Sequence, residues 1–277
     1  MDHELIHDAY RAYAYFRWVD DWLDREARQK SERIAFVKRQ KTLVESYHQG
    51  KQLRNITPQE QMALDMMEND KGEKRGLQTY IGNMMAVMAF DAERRNRLIS
   101  QAELDAYARN LAIAVTEALH YFIGHNCASP RSEARYLAAT AAHITHMLRD
   151  TLEDTAAGYF NVPREFFEIH QIDPLDVQTA PYKAWVKNRV QLARSYFNAG
   201  RGYLSQVENL RCRIAGYAYI ARFERVLEAI ERDGYVLRPQ YRECRTFKAG
   251  AQMSWSILRS ALYDQHPQTG SSVLTAR

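Results

Sequence analysis

Two groups of acids carry the chemistry this sequence could do. In "YAYFRWVDDWLD", Tyr13, Arg17, Asp20 and Asp24 follow one another at intervals of four, three and four residues. A helix of 3.6 residues per turn returns all four to one face, with Asp21 beside them. In "HITHMLRDTLED", His143, His146, Asp150 and Asp154 stand at intervals of three, four and four, again on one face, with Arg149 and Glu153 adjacent. Set opposite each other in a helical bundle, four or more carboxylates repel unless cations neutralise them. A donor set dominated by oxygen selects a hard ion such as Mg²⁺, which keeps several waters and binds substrate phosphates through one or two carboxylates. The competing reading is two independent solvated faces. The apolar flanks Trp18, Val19, Trp22 and Leu23, and "YLAATAA" ahead of His143, argue against it, because desolvated carboxylates are expensive unless partnered.

Helices must position these residues. Twelve glycines and seven prolines in 277 residues leave long uninterrupted stretches, and apolar residues recur at three- and four-residue intervals without strand alternation. The pattern predicts an all-α chain with helices at about 4–48, continuous or broken, and at 57–69, 75–97, 101–124, 130–158, 163–170, 180–207, 209–232 and 249–263. Ser100 with Glu103 forms a capping-box pattern, Ser129 before Pro130 fits an N-cap and first turn, and Gly234 reads as a helix stop. One domain over 1–264 with a frayed tail at 265–277 is the economical organisation. Cys127, Cys212 and Cys244 lie far apart, which argues against a structural zinc site or a disulfide framework. The formal charge of +4 is dispersed, giving little support for nucleic-acid binding while suiting anionic small substrates or an acidic membrane surface. No secretory signal or membrane span is visible, so a cytoplasmic protein is expected.

The motif "YxxxRxxDDxxD" at Tyr13–Asp24, followed by "RDxxED" at Arg149–Asp154 and then "NVPRE", resembles the squalene/phytoene synthase family of head-to-head prenyltransferases. The similarity extends through "AELDAYARNLAIAV", which bears Tyr107, and "ARFERVLEAIERDGY", and covers about residues 10 to 245. It implies the all-α isoprenoid-synthase helical bundle with a central apolar cavity, and Mg²⁺-dependent condensation of two farnesyl or geranylgeranyl diphosphates to a squalene- or phytoene-like product. NADPH enters only if squalene is formed, and peripheral membrane association is compatible. The resemblance assigns Asp20, Asp21, Asp24, Asp150, Glu153 and Asp154 to the metal, with Asp20, Asp24, Asp150 and Asp154 as the catalytic set. It places Tyr13, Arg17, Tyr107, His143, His146 and Arg149 at the substrate.

The chain departs from the family pattern at His143 and His146, where Gln and Asn are common, and at Asn161 and Phe223, where Tyr is usual. Relatives also carry an additional helix ahead of the first motif, whereas Tyr13 follows only twelve residues here. Two other readings compete. A diverged scaffold would keep the bundle to bind a lipid or protein. A di-iron bundle is suggested by Glu117-x-x-His120, but that architecture wants two Glu-x-x-His motifs. Donor length and final product stay open, because cavity depth sets them.

Overall fold

The computed structural model describes residues 3–26, 29–52, 54–70, 75–124 and 129–241. The helix expected at 249–263, the tail from 265, Cys127 and Cys244 lie outside them. The described chain is helical: α1 (His3–Asp21), a π-helical turn (Trp22–Glu26), α2 (Lys30–His48), α3 (Pro58–Asp70), α4 (Arg75–Arg94), α5 (Gln101–Phe122), α6 (Ala134–Ala156), α7 (Arg164–His170), α8 (Ala180–Leu204) and α9 (Leu210–Arg232). Its one β-like contact among the described residues is an isolated bridge between Arg97 and Tyr159. No described helix is long and apolar enough to cross a membrane.

Local chemistry sets the helix ends. At the start of α5, Ser100 Oγ accepts the Glu103 amide and Glu103 Oε2 accepts the Ser100 amide at 2.8 Å, the reciprocal box read from the sequence. Both α6 and α9 close in Schellman motifs. Tyr159 N–H reaches back to the Asp154 carbonyl with Gly158 at φ +88°, and Tyr235 N–H reaches the Ile230 carbonyl with Gly234 at φ +62°. The start of α6 differs from expectation. Ser129 does not cap it; the helix begins at Ala134 without a side-chain cap. The Ser129 hydroxyl is instead drawn to the guanidinium of Arg135, which also binds Glu117 at 2.8 Å and the Tyr203 hydroxyl at 2.8 Å. The same network engages the Glu117-x-x-His120 pair: Glu117 is held by Arg135 and Tyr136, and His120 Nε2 pairs with Tyr203 at 3.0 Å.

Two apolar clusters form the core. One gathers Tyr15, Val19, Leu23, Met66, Leu77 and Leu104 from the elements up to α5; the other gathers Leu148, Val186, Phe197, Ile220 and Leu227 from α6 onward. The packing of α5 on α6 joins them. The second cluster depends on a close crossing of α8 on α6, made where Gly200 lies over Ala138. A Cβ at Gly200 would stand 2.7 Å from the Ala138 Cβ and 3.0 Å from its backbone nitrogen. Gly202, one turn face away, has open space.

Gly200→Ala is therefore expected to cost about 1–3 kcal/mol by overpacking the crossing. Gly202→Ala should be neutral or stabilise by up to about 1 kcal/mol through the lower backbone entropy of alanine. Urea unfolding of the two variants beside the unsubstituted chain checks the pair, and equal midpoints would show that the crossing yields freely.

Candidate active site

The helix of the first acidic stripe does not stay α-helical. After Asp21 the chain widens into the π-helical turn, a form that recurs at functional sites, with Leu23 buried and Trp22 stacked on Phe36 at 3.9 Å. Asp20 and Asp24 then line one cavity of about 360 Å³. Arg17, also on its wall, donates to Asp20 at 3.3 Å and to Asp21 at 2.9 Å. Asp24 Oδ1 accepts the Tyr159 hydroxyl at 2.9 Å, from residues just beyond α6.

The second stripe lines the same cavity from α6, with His143, His146, Asp150 and Asp154. Asp150 is gripped on both oxygens by Arg149, at 2.6 Å each, and by His146 Nε2 at 2.9 Å. Asp154 accepts the Asn161 amide at 2.6 Å. Both stripes therefore face one space, as their spacing predicts.

Depth along the helix separates the remaining candidates. Tyr13 shares the angular position of Asp20 but lies seven residues earlier, roughly 10 Å along the axis, and is 70 % exposed outside the cavity. Asp21 and Glu153 each stand next to a lining acid, and one residue turns a helix by about 100°, so neither lines the cavity. Glu153 is exposed, and Asp21 is tied to Arg17. Tyr107 is on the cavity wall, nearly buried, with its hydroxyl 3.2 Å from Asp91.

Asp91, Arg94, Tyr159 and Asn161 also line the cavity; none of the four was given a role at the site by the sequence reading, which noted Asn161 only as a departure from the family pattern. Arg94 donates to Asp91 Oδ1 at 2.6 Å and to Asn161 Oδ1 at 2.8 Å, and its guanidinium lies 4.6 Å from the Tyr107 ring and 5.1 Å from the Tyr159 ring. The available signal was "AVMAFDAERRN", where an acid and a base three residues apart interrupt an apolar run. The place of Asn161 and Tyr159 at the cavity follows from the chain reversal at Gly158, whose carbonyl accepts the Asn96 amide at 2.7 Å.

The cavity is short of positive charge. Burial, with Asp24 next to it, pushes the Asp20 carboxyl up to about 6 despite Arg17. Burial and Asp150 push Asp154 up to about 6. Asp91 is likewise raised by burial, against the pull of Arg94. Asp150 goes the other way: burial alone would raise it, but the hydrogen bonds from Arg149 and His146 hold it below the usual carboxylate range. Among the described residues no three His, Cys, Asp or Glu side chains form a ready-made metal cage. Oxygen donors with raised pKa on two walls nevertheless fit a hard divalent ion that keeps its waters and bridges one or two carboxylates to phosphate oxygens.

No curated protein sequence matches at a significant level. Among solved structures, the fold is similar to squalene synthase HpnC from Alicyclobacillus acidocaldarius, with a TM-score of 0.65 and 21 % identity over 85 % of this chain and 86 % of that one. A model of squalene/phytoene synthases matches residues 1–248, nearly the whole length, and the chain belongs to that family.

Proposed function

We propose that the protein catalyses Mg²⁺-dependent head-to-head condensation of two prenyl diphosphates, farnesyl or geranylgeranyl, to a squalene- or phytoene-like hydrocarbon. The observation that carries this reading is the cavity itself: Asp20 and Asp24 on one wall and Asp150 and Asp154 on the other, two of them with carboxyls raised to about 6. Asp20, Asp24, Asp150 and Asp154 would hold the ion. When bound, Mg²⁺ supplies positive charge to the departing diphosphate.

The chain's own groups account for the rest. Arg17 on the cavity wall, and Arg149, which does not line it but holds the lining Asp150, would exchange these carboxylates for phosphate oxygens once a cation takes over the acids. Tyr107 and Tyr159 present ring faces at the cavity that favour nearby positive charge, and Arg94 already occupies that environment. Leu23, Leu111 and Met147 form the apolar part of the wall, where an isoprenoid chain is accepted and water is not. NADPH is required only if the product is squalene.

Incubation with farnesyl or geranylgeranyl diphosphate and Mg²⁺, with and without NADPH, followed by mass analysis of the extracted hydrocarbons, tests the reading directly. Asp20→Asn and Asp150→Asn should each lower Mg²⁺-dependent substrate consumption by a factor of about 10² or more. No consumption by the unsubstituted protein would hand the site to a diverged, non-catalytic scaffold, and consumption at the unsubstituted rate by both variants would show that these aspartates do not carry the reaction.

The two acids should differ in stability. A carboxyl whose folded pKa is raised binds its proton more tightly in the native state, so its contribution to stability falls as pH rises from about 4 through 6. Without Mg²⁺, Asp154→Asn is therefore expected to melt above the unsubstituted protein at pH 7, with the gap closing toward pH 4.5. Asp150 is depressed and contributes stability above the ordinary carboxylate pKa that is lost as pH falls. Asp150→Asn should accordingly melt lower at pH 7. Thermal scans across pH 4.5–7.5 read both signs.

A further inference from the structure

His143 is a buried group that the metal reading leaves unused. It sits on α6 two turns before Asp150, lines the cavity, and is only 7 % exposed. Its Nε2 is buried without a hydrogen-bond partner, a condition that costs about 1–3 kcal/mol unless a ligand relieves it. The lining acids, by contrast, all have partners: Arg17 for Asp20, Tyr159 for Asp24, Arg94 for Asp91, Arg149 for Asp150 and Asn161 for Asp154. Around His143 the wall carries the Tyr107 ring, 5.2 Å away between centroids, and the apolar side chains of Leu111 and Met147. Its free nitrogen therefore stands where the apolar wall meets Arg94 and His146, between the places expected for hydrocarbon and for phosphate.

We propose that His143 is the proton acceptor of the coupling reaction, taking at Nε2 the proton that the coupled carbocation must lose. This rests on the prenyl-transfer reading above. The C1–O bond of the donor breaks and its electron pair leaves with diphosphate. The C2=C3 electron pair of the second chain forms the new bond to that C1, leaving the positive charge on C3. A C–H bond at the former donor C1 then breaks, its electron pair closes the ring to C3, and the proton passes to Nε2. The charge ends as imidazolium beside the released diphosphate. Burial, with His146, Arg94 and Arg189 adding to it, holds the imidazole down at about 3, so it is neutral and its lone pair is available at ordinary pH. A weak base suffices, since a carbocation that can lose its proton as the ring closes is a far stronger acid than any imidazolium. The same weakness lets the imidazolium give its proton up to the departing diphosphate before the next turnover.

The test compares His143→Phe, which keeps a ring without an acceptor, and His143→Gln, which keeps polarity without a usable base, against the unsubstituted enzyme. Diphosphate release and coupled hydrocarbon are measured in the same Mg²⁺-containing reaction. Both variants should release diphosphate, while coupled product per diphosphate falls about a hundredfold, with prenyl alcohols or eliminated dienes appearing instead. Circular dichroism melts establish that the variants are folded; removing an unpartnered buried nitrogen should leave His143→Phe at or above the unsubstituted melting temperature, and His143→Gln reads the same ratio if the Phe variant does not fold. An unchanged ratio, or diphosphate release lost in step with coupling, overturns the assignment. An unsubstituted enzyme that releases no diphosphate from either substrate sinks the prenyl-transfer reading itself, a failure visible before any variant is examined.

Discussion

One buried guanidinium holds the acidic cavity together. Arg94 is 6 % exposed at the last turn of α4, where burial alone would favour losing its charge, yet Asp91 beside it keeps the guanidinium firmly protonated. Its planar fork reaches Asp91 on its own helix and Asn161 beyond α6, while its faces lie against Tyr107 of α5 and Tyr159. Asn161 passes the contact on to Asp154. A point charge on a flexible stem could not satisfy two partners in different directions and stack on two rings at once, which is why lysine would be a poor substitute. Through this one side chain the second acidic stripe is fastened to α4 and α5.

What Arg94 does not do is neutralise the cavity. It compensates Asp91 and lowers Asp154, but Asp154 and Asp20 remain near 6 because burial and like-charged neighbours outweigh the cations within reach. The contrast with Asp150 is instructive, since that acid differs mainly in being clamped on both oxygens by Arg149. Among the lining carboxylates, Asp150 is thus held ionised while Asp20, Asp91 and Asp154 are pushed toward protonation. Such an arrangement is stable enough to fold, and it gains from any ligand that brings positive charge to the acids and negative charge to Arg17 and Arg149.

The stripes were legible because angular position on a helix follows from residue intervals alone, so Asp20, Asp24, Asp150 and Asp154 could be placed on common faces without knowing the fold. Depth was not legible. Tyr13 has the right angle and the wrong height, and only the position of the cavity along α1 reveals it. Asp21 and Glu153 fell within the motifs but one helical step off the face. The helix limits read well where a cap made a local bond, as at Ser100, and badly at Ser129, whose hydroxyl is recruited by Arg135 from a later turn. Arg94, Asp91, Tyr159 and Asn161 were given no role at the site, Asn161 being read only as a departure from the family pattern, because what makes them a group is the reversal at Gly158. A Cβ there would lie 2.0 Å from Asn96 Oδ1, so the chain must pass this point on a glycine to return two polar side chains to the cavity.

The position of the cavity follows from the division of the core. Buried apolar side chains from α1 to α5, joined by Met147 of α6, pack as one cluster and most of those from α6 onward as another, and α5 against α6 is where the two meet. A seam between two packed halves is the place where charged groups can be held at moderate desolvation, with each half supplying one wall. The π-helical turn belongs to this arrangement: Leu23 within it is buried in the first cluster, while Asp24, the next residue, is left at the seam with its carboxylate bonded across to Tyr159. A ligand that binds both walls would therefore stabilise the native state by an amount set by its concentration over its dissociation constant, in addition to any catalysis it undergoes. Function and cohesion depend on the same few polar contacts, and the acids that weaken the empty protein are the ones that would make the filled one most secure.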